Sequence, residues 1–247
     1  MTDVQGEPDI SVPGRALGDP ARGRIVSALL GDRSIPAGAL AREAGIAAST
    51  ASEHLRVLLD AGIVAVDQRG RNRFFRLADS DVSHAIEALQ AISPRAEIRS
   101  LRQHDVSVEL RAGRTCYDHL AGDLGLRVAD LLVRAGVVTD LQIGVPSHPP
   151  EPFPQGAIIE AFELQPPHGK RPWARGCLDW TGRRAHTAGQ VGATILRTLE
   201  AHAWIVRRPS GRAVRLTELG AARLTDLESE AGPPRRARSS SDSPTDP

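Results

Sequence analysis

The segment at residues 40–64 constrains the fold more than any other part of the sequence. It reads LAREAGIAASTASEHLRVLLDAGIV, and its apolar residues recur at helical spacing on both sides of Gly45 and Ile46. A glycine at this point suits the left-handed residue of a tight turn, and the isoleucine after it can fill the core below. Gly62 is placed to end the second helix. The segment therefore predicts two helices joined by a short turn, the spacing of a helix-turn-helix.

One further helix is predicted on each side of this pair. Asp19 and Pro20 form a typical helix start, with the aspartate as the cap and the proline in the first turn. Another helix is predicted over residues 81–92. Together these helices can bury a small apolar core. The inner face of the 81–92 helix is predicted to carry Val82, Ala85, Ile86 and Leu89.

A hairpin is predicted between the helix-turn-helix and the helix at 81–92. Residues 63–66 and 73–77 have the apolar and aromatic side chains of two short strands. Gly70 and Asn72 between them suit the left-handed positions of a turn. The hairpin carries four arginines within eight residues: Arg69, Arg71, Arg73 and Arg76.

Polar side chains on the second helix and on the hairpin indicate a nucleic-acid partner. Short hydroxyl side chains at a helix N-terminus can meet phosphates and base edges, and cations on a protruding ribbon fit phosphates. Taken singly, each set could instead cap a surface helix or solvate a hairpin, and His54 could equally be a buried structural residue. Together and in this order they predict DNA binding. The predicted contacts are Ser49, Thr50, Ser52, Glu53, His54, Arg56, Arg69, Arg71 and Arg73.

Total charge does not by itself indicate this partner. The 247 residues include 31 basic and 30 acidic ones, which gives a net charge of +1. The chain as a whole is therefore not basic, and the case for DNA binding depends on where the arginines lie, namely on the hairpin. The apolar stretches are too short to span a bilayer, and the first residues lack the parts of a signal peptide. Two cysteines exclude a disulfide scaffold. A cytoplasmic protein with no membrane partner is expected.

Residues 17–77 resemble the ArsR/SmtB family of winged-helix repressors, through ALGDPARGRIVSALL, AGALAREAGIAASTASEHLRVLLDAGIV and QRGRNRFFRLA. The resemblance implies a bacterial homodimer that binds a palindromic operator on double-stranded DNA and is released by an effector. It implies that the first predicted helix and the helix at 81–92 form the dimer contact. The recognition helix would carry Ser49, Thr50, Ser52 and His54, and the wing Arg69, Arg71 and Arg73.

The metal sites familiar in this family are not intact in the sequence. Many members carry a Cys-x-Cys pair in the helix before the recognition helix, and here that helix reads AGALAREAG. Others use aspartate and histidine pairs on the last helix of the domain. Asp81 and His84 stand at that helix, but no second histidine follows on it. Neither of the metal sites familiar in this family is therefore expected in this chain.

The predicted fold class is mainly α with small β-hairpin wings (α+β), a winged helix-turn-helix that a second winged-helix-like domain follows. Five parts are expected. Residues 1–14 are a disordered N-terminus, 15–93 the DNA-binding domain, 94–114 a linker or dimer helix, 115–228 an effector and dimerisation domain, and 229–247 a disordered tail.

A second wing hairpin is predicted from a short internal repeat, which we call the echo. Residues 199–216, LEAHAWIVRRPSGRAVRL, match the helix end, strand, turn and strand of residues 59–77, LDAGIVAVDQRGRNRFFRL. The preceding helix has no hydroxyl cluster at a turn, so a sensing or dimerising role is favoured over DNA reading. Helices are predicted at 116–135, 156–164, 186–201 and 217–227, with 173–180 irregular or extended.

Both cysteines lie in this second region, among residues that could form an effector site. Cys116 and His119 are three apart on one predicted helix, and Cys177, Asp179 and His186 could converge with them. Such donors suit a soft or borderline cation, so Cys116, His119, Cys177 and His186 are candidate ligands of a thiophilic metal ion. The full candidate effector set is Cys116, Tyr117, Asp118, His119, Cys177, Asp179, Trp180, Arg183, Arg184 and His186.

Other interpretations of these residues stay open at the level of sequence. Neighbouring arginines could activate a redox-sensing thiol, or hold an anionic or aromatic ligand against Trp173, Trp180 and Tyr117. The cysteines could also be plain core residues. From other classes of function, a cysteine and histidine could serve an enzyme, or the chain could bind DNA without any effector.

Overall fold

A computed structural model describes residues 7–94, 97–98, 100–209 and 211–232. The N-terminal part contains α1 (Ser11–Leu17), α2 (Pro20–Leu29), β1 (Ile35–Pro36), α3 (Ala37–Ala44), α4 (Ala48–Asp60), β2 (Val64–Arg69), β3 (Asn72–Leu77) and α5 (Ser80–Ile92). The second part contains α6 (Leu101–Ala112), β4 (Arg114–Thr115), β5 (Leu120–Ala121), α7 (Gly122–Arg134), β6 (Pro146–Ser147), α8 (Ala157–Ala161), β7 (Ala174–Leu178), β8 (Ala185–Ala188), α9 (Gly189–Ala201), β9 (Ile205–Arg207), β10 (Val214–Leu216) and α10 (Glu218–Ala231).

The helix-turn-helix forms where the sequence predicts it. Asp19 caps α2, because its carboxylate accepts hydrogen bonds from the amides of Ala21 and Arg22 at 2.8 and 3.0 Å. Gly45 joins α3 to α4 in the left-handed conformation, with φ of 66°. Gly62 has φ of 68° just beyond α4. One apolar core lies beneath these helices, and its fully buried residues include Ile25, Leu29, Leu40, Leu55 and Leu58.

The hairpin is longer and its turn tighter than the sequence predicts. β2 and β3 pair along their full length, from Val64 opposite Leu77 to Arg69 opposite Asn72. Only Gly70 and Arg71 remain for the turn, and Gly70 alone takes a positive φ. Placing Asn72 in a left-handed turn position was therefore wrong, because continued pairing makes it a strand residue. β1 adds to the other edge of β3, which completes a winged helix-turn-helix.

The N-terminal segment and α5 also differ from expectation. Residues 1–14 were expected to be disordered, but α1 begins at Ser11 and buries Ala16; residues 1–6 and 233–247 lie outside the described part of the chain. On α5 the predicted inner residues Ala85 and Leu89 are exposed. Ser83 and Glu87 are buried instead, because the second part of the chain packs against that side of the helix.

Two predicted helices of the second part begin later than the periodicity suggests. Residues 116–121 form the turn and strand before α7, and His186 lies in strand β8 before α9. In each case a glycine with positive φ stands at the helix start: Gly122 at 76° and Gly189 at 84°. Residues 174–178, expected to be irregular or extended, form strand β7 between β6 and β8 in an antiparallel sheet.

The hairpin predicted from the echo is present, since β9 and β10 pair directly after α9. Residues 94–114, for which the sequence predicts a linker or a dimer helix, contain helix α6, and no residue of α6 is buried. A second apolar core joins α7, α9 and α10, with Leu131, Leu132, Phe162, Ile195 and Leu199 among its buried residues. Within the described ranges, no helix is both long and apolar enough to cross a membrane.

Candidate functional site

The N-terminal half of α4 presents a polar face to solvent. Ser49, Ser52, Glu53 and Arg56 are exposed, and Thr50 is half-buried. The residue at the N-cap position is Ala47, which has no side-chain oxygen to offer the first amides of the helix. These amides and the hydroxyl groups beside them are therefore available to an anion such as a phosphate.

His54 lies on a different side of α4 from this face. It is half-buried against α2, with Nδ1 3.3 Å from Nη1 of Arg22 and Nε2 3.9 Å from Oδ1 of Asp19. This position makes His54 a packing contact between α2 and α4. Of its two sequence interpretations, DNA contact and structural residue, the geometry favours the structural one.

The wing presents three exposed arginines. The guanidinium groups of Arg69 and Arg73 lie 5.1 and 5.3 Å from the ring centres of Phe74 and Phe75, which holds them along the ribbon. Arg71 is exposed at the turn. Arg76 differs, because it pairs with Asp67 at 3.2 Å and donates to the carbonyls of Leu77 and Ala78. Arg76 therefore stabilises the base of the hairpin.

Two thiols and two imidazoles meet in a buried cluster in the second part of the chain, which we call the Cys/His cluster: Cys116, His119, Cys177 and His186. One Sγ or ring nitrogen from each lies within 4.8 Å of the others, and all four residues are buried. The turn between β4 and β5 brings the first pair together, since the Cys116 amide donates to the His119 carbonyl at 3.0 Å. The second pair are cross-strand partners in β7 and β8.

The distances within the cluster are short and specific. The two sulfur atoms are 3.8 Å apart, and both cysteines are free. That separation is well beyond a disulfide bond of about 2.05 Å. The Nε2 atoms of His119 and His186 are 3.1 Å apart. The four residues that the sequence nominates as candidate ligands therefore lie together, although Cys116 and His119 meet through a turn and not on a helix.

A carboxylate stands behind each histidine. Oδ1 of Asp118 is 3.3 Å from Nδ1 of His119, and Oδ2 of Asp179 is 3.5 Å from Nδ1 of His186. Arg171 pairs with Asp118 at 2.6 and 2.9 Å. Asp179 accepts hydrogen bonds from the amides of Gly122, Thr181 and Gly182, at 2.6, 2.8 and 3.0 Å. Both carboxylates are therefore fixed in place.

Burial and neighbouring charges shift the pKa values of these groups. Burial alone would raise the pKa of Asp179, but Arg114 and the hydrogen bonds it accepts hold that pKa well below its usual range. The contact with Cys177, together with burial, raises the pKa of the Cys116 thiol. Burial opposes the charged form of His119, yet Cys116 and Asp118 raise its pKa to about 9. Burial and then His119 lower the pKa of His186 well below its ordinary value.

The Cys/His cluster adjoins α5 of the N-terminal part of the chain. Oγ of Ser83 is 3.9 Å from Sγ of Cys116. The Glu87 carboxylate pairs with Arg212 and lies 3.4 Å from Nη2 of Arg114, which also reaches Asp179 at 3.1 Å. These residues are buried. Sequence reasoning missed the roles of Ser83, Glu87 and Arg212, because α5 and the segment of Arg212 are far apart in the chain and no local pattern joins them to the cysteines.

Other predicted effector residues point elsewhere. Arg184 pairs with Asp130 on α7, and Arg183 donates to the Ala91 carbonyl at 3.4 Å; both arginines are exposed. Grouping them with the thiols was wrong, because the turn after Asp179 directs them outwards. The Arg114 guanidinium lies over the Trp180 ring, 4.4 Å from the centre of that ring. Tyr117 is half-buried.

Comparison with known proteins finds that the sequence of this chain is similar to those of transcriptional regulators. A family model described as a helix-turn-helix domain matches residues 17–67. The HTH-type transcriptional regulator YdfF of Bacillus subtilis is 41% identical over 219 residues, which cover 86% of this chain and 94% of YdfF. The HTH-type transcriptional regulator CmtR of Mycobacterium tuberculosis is 42% identical over 76 residues, 31% of this chain and 64% of CmtR.

Two solved structures are similar to about a third of this chain. The homodimeric winged helix-turn-helix domain of Mb0332 from Mycobacterium bovis, described as a possible ArsR-family regulator, is 26% identical, with a TM-score of 0.32 over 36% of this chain and 88% of that domain. The cadmium sensor CmtR gives 35% identity and a TM-score of 0.29 over 36% of this chain and all of CmtR.

The long match to YdfF extends through both parts of the chain, and the helix-turn-helix model falls on α2, α3 and α4. The chain therefore belongs to the family of HTH-type transcriptional regulators, and its helix-turn-helix lies in the N-terminal part of the chain.

Proposed function

We propose that the chain is a homodimeric repressor whose affinity for operator DNA is set by an effector bound in its second part. In this proposal residues 15–93 form the DNA-binding domain and residues 115–228 the effector domain. The observation that carries it is the position of α5. This helix places Ile86 in the core of the DNA-binding half, while Ser83 and Glu87 contact the Cys/His cluster and its arginines. A change at the cluster can therefore move α5.

The proposed DNA interface combines the exposed face of α4 with the wing. The α4 face would enter the major groove, where Ser49, Ser52 and Arg56 can reach base edges. The wing would lie along the adjacent backbone, where its exposed arginines meet phosphates. Base contacts specify sequence and phosphate contacts supply affinity, so the two elements can be tested separately.

The wing is tested by changing Arg71 and Arg73 together to alanine. We expect weaker binding to all DNA sequences, because phosphate contacts do not depend on sequence. In a dimer the change removes four cations, so the slope of log affinity against log salt should fall by about 3 to 4. The measurement is a salt titration on a DNA fragment that the full chain selects from random sequence.

The matched control removes the same charge outside the wing. Arg197 on α9 and Arg223 on α10 are exposed arginines of the second part, and their double alanine variant should leave the salt slope unchanged. An equal loss in both double variants would contradict the wing assignment, since binding would then follow total charge alone.

The proposed dimer contact includes the exposed apolar side of α5. Leu89 is 44% and Ile92 77% exposed, and both are on the helix that the family resemblance assigns to dimerisation. The other assigned helix, α2, exposes no large apolar residue; α1 carries an exposed Val12. Apolar residues exposed together on one helix are typical of an interface.

Changing Leu89 and Ile92 together to arginine is expected to convert the dimer into a monomer, because four cations would then be buried across a twofold contact. Light scattering after size-exclusion chromatography gives the mass directly. The control pair, Val133 on α7 and Leu219 on α10, is similarly exposed but outside the proposed contact, and should remain dimeric. A dimer in the α5 variant would place the interface elsewhere.

The geometry also ranks the open interpretations of the cysteines. Burial and a raised pKa disfavour Cys116 as a catalytic nucleophile or a rapidly oxidised thiol, since both roles need an accessible thiolate. A ligand held by arginines beside the thiols is disfavoured by the outward positions of Arg183 and Arg184. A cation remains the effector class that the cluster fits.

A further inference from the structure

The geometry points to a tetrahedral site for a divalent metal ion of the zinc class, bound by Cys116, His119, Cys177 and His186. This inference names the effector that the proposed function leaves open. Two thiolates and two imidazoles are the donor set that tetrahedral zinc prefers, and four protein ligands make the site a closed one. A closed site suits a structural or sensory ion, because it has no open position for a substrate.

The distance between the two sulfur atoms and the distance between the two ring nitrogens agree with this geometry. Two Zn–S bonds of about 2.3 Å at the tetrahedral angle place the sulfur atoms about 3.8 Å apart. The observed Sγ–Sγ distance is 3.8 Å. Two Zn–N bonds of about 2.0 Å give a nitrogen separation of about 3.3 Å, and the Nε2–Nε2 distance is 3.1 Å. Sulfur and nitrogen donors lie within 4.8 Å of one another, against about 3.5 Å in a tetrahedral site, so the cysteine pair and the histidine pair would move closer together on binding the ion.

The orientation of both histidines supports the same site. Each Nδ1 faces a carboxylate, Asp118 or Asp179, and this favours the tautomer that carries its proton on Nδ1. In that orientation the two Nε2 atoms face each other at 3.1 Å, and a metal ion between them can replace the proton that they share. Nδ1 of His186 is fully buried and makes no hydrogen bond in this structure. Binding of a metal at Nε2 would draw the ring into that hydrogen bond with Asp179.

The charges around the site balance when a divalent ion is bound. Binding releases both thiol protons, so two thiolates and one divalent cation sum to zero. The neighbouring carboxylates are already paired: Asp118 with Arg171, Asp179 with Arg114, and Glu87 with Arg212. The metal-bound cluster is therefore neutral within a buried region, which limits the cost of removing its charges from water.

The site is placed to act on the DNA-binding half. Cys116 contacts Ser83 of α5 through its sulfur, and its carbonyl accepts a hydrogen bond from the Gly31 amide at 2.6 Å, just beyond α2. Closing both thiolates on one ion would therefore shift groups that touch two helices of the DNA-binding domain. This regulatory consequence rests on the proposed function, whereas the metal site itself does not.

The test is a titration of the reduced, chelator-treated full chain with Co(II), followed by Zn(II) in competition with a chromogenic chelator. One Co(II) per chain is expected, with the intense visible bands of a tetrahedral ion and thiolate-to-cobalt charge transfer, and Zn(II) should displace it. A weak spectrum without charge transfer, or binding well below one ion per chain, would overturn the site. This wild-type spectrum decides the matter even where a variant does not fold.

Variants locate the ion. Cys116→Ser and His186→Gln are expected to lower Zn(II) affinity by more than about 100-fold, and Asp118→Asn, behind His119, by about 10-fold or more. His84→Gln is the matched control, because its ring lies 6.1 Å from that of His119 but is outside the cluster. The Zn(II) affinity of His84→Gln should equal that of the wild type. Equal affinity in the wild type and Cys116→Ser would refute this ligand set.

Operator binding then tests the regulatory part. Zn(II) is expected to change operator affinity by about 10-fold or more in the wild type and not in Cys116→Ser. Metal binding is measured without DNA, and operator binding without metal, so each can fail alone. A tetrahedral cobalt spectrum with operator affinity indifferent to Zn(II) would overturn the ion as effector, and would leave the DNA-binding assignment intact.

Discussion

Replacing Glu87 with alanine is expected to lower the free energy of unfolding by about 3–5 kcal/mol, because it removes one partner of a buried ion-pair network. The Glu87 carboxylate is fully buried on α5 and pairs with Arg114 and Arg212 from the second part of the chain. After the change, the contacts of the Arg212 guanidinium within the described part of the chain would be those with Gln90 and the Thr115 carbonyl. An almost fully buried guanidinium would then lack a counter-charge.

Urea unfolding with a chelator present measures this loss without any contribution from metal. Glu87→Gln should recover part of the stability, since the amide oxygen can still accept a hydrogen bond from Arg212. The matched control is Glu109→Ala on α6, which breaks an exposed pair with Arg208 and should cost at most about 1 kcal/mol. Similar losses in Glu87→Ala and Glu109→Ala would show that the buried network contributes little.

The DNA-binding half could be predicted from sequence because its signals are local. Asp19 before Pro20, and Gly45 and Gly62 at helix ends, each act on the few residues around them. The same reasoning failed at Asn72, because a register that continues to the end of the strands is set by pairing across the hairpin. Local chemistry therefore predicted which elements form, but not where each one ends.

The structure of the second part was harder to predict, because its helix starts and its buried ion pairs depend on contacts between residues that are distant in sequence. Apolar periodicity continued through residues 116–121 as if they were helical, but Gly122 begins α7 only where its backbone lies against the carbonyls of Leu110 and Arg111. Polar donors near each cysteine were still a sufficient signal to name the four residues of the cluster. Glu87 and Arg212 are 125 positions apart in the sequence, and the sequence around either residue does not predict that the two pair.

The junction between the two parts is a tight backbone contact at Gly31. This residue follows α2 with φ of 84°, donates its amide to the Cys116 carbonyl, and accepts from Arg207 at 3.3 Å. A Cβ atom added there would overlap Oγ1 of Thr115 and lie 3.0 Å from Cβ of Arg212. Glycine is therefore required at this position for two separate reasons, its backbone conformation and the space around it.

Gly31→Ala is expected to lower the free energy of unfolding by about 3 kcal/mol, of which about 1 comes from the left-handed conformation and the rest from overpacking. Gly62→Ala isolates the first contribution, because Gly62 has φ of 68° with no atom within 4 Å of the added Cβ; its loss should be about 1 kcal/mol. Urea unfolding of both variants gives the difference, and equal losses would contradict a close junction. Because the overlap lies where α2 meets the Cys116 segment, Gly31→Ala should also reduce the effect of Zn(II) on operator affinity, and Gly62→Ala should not.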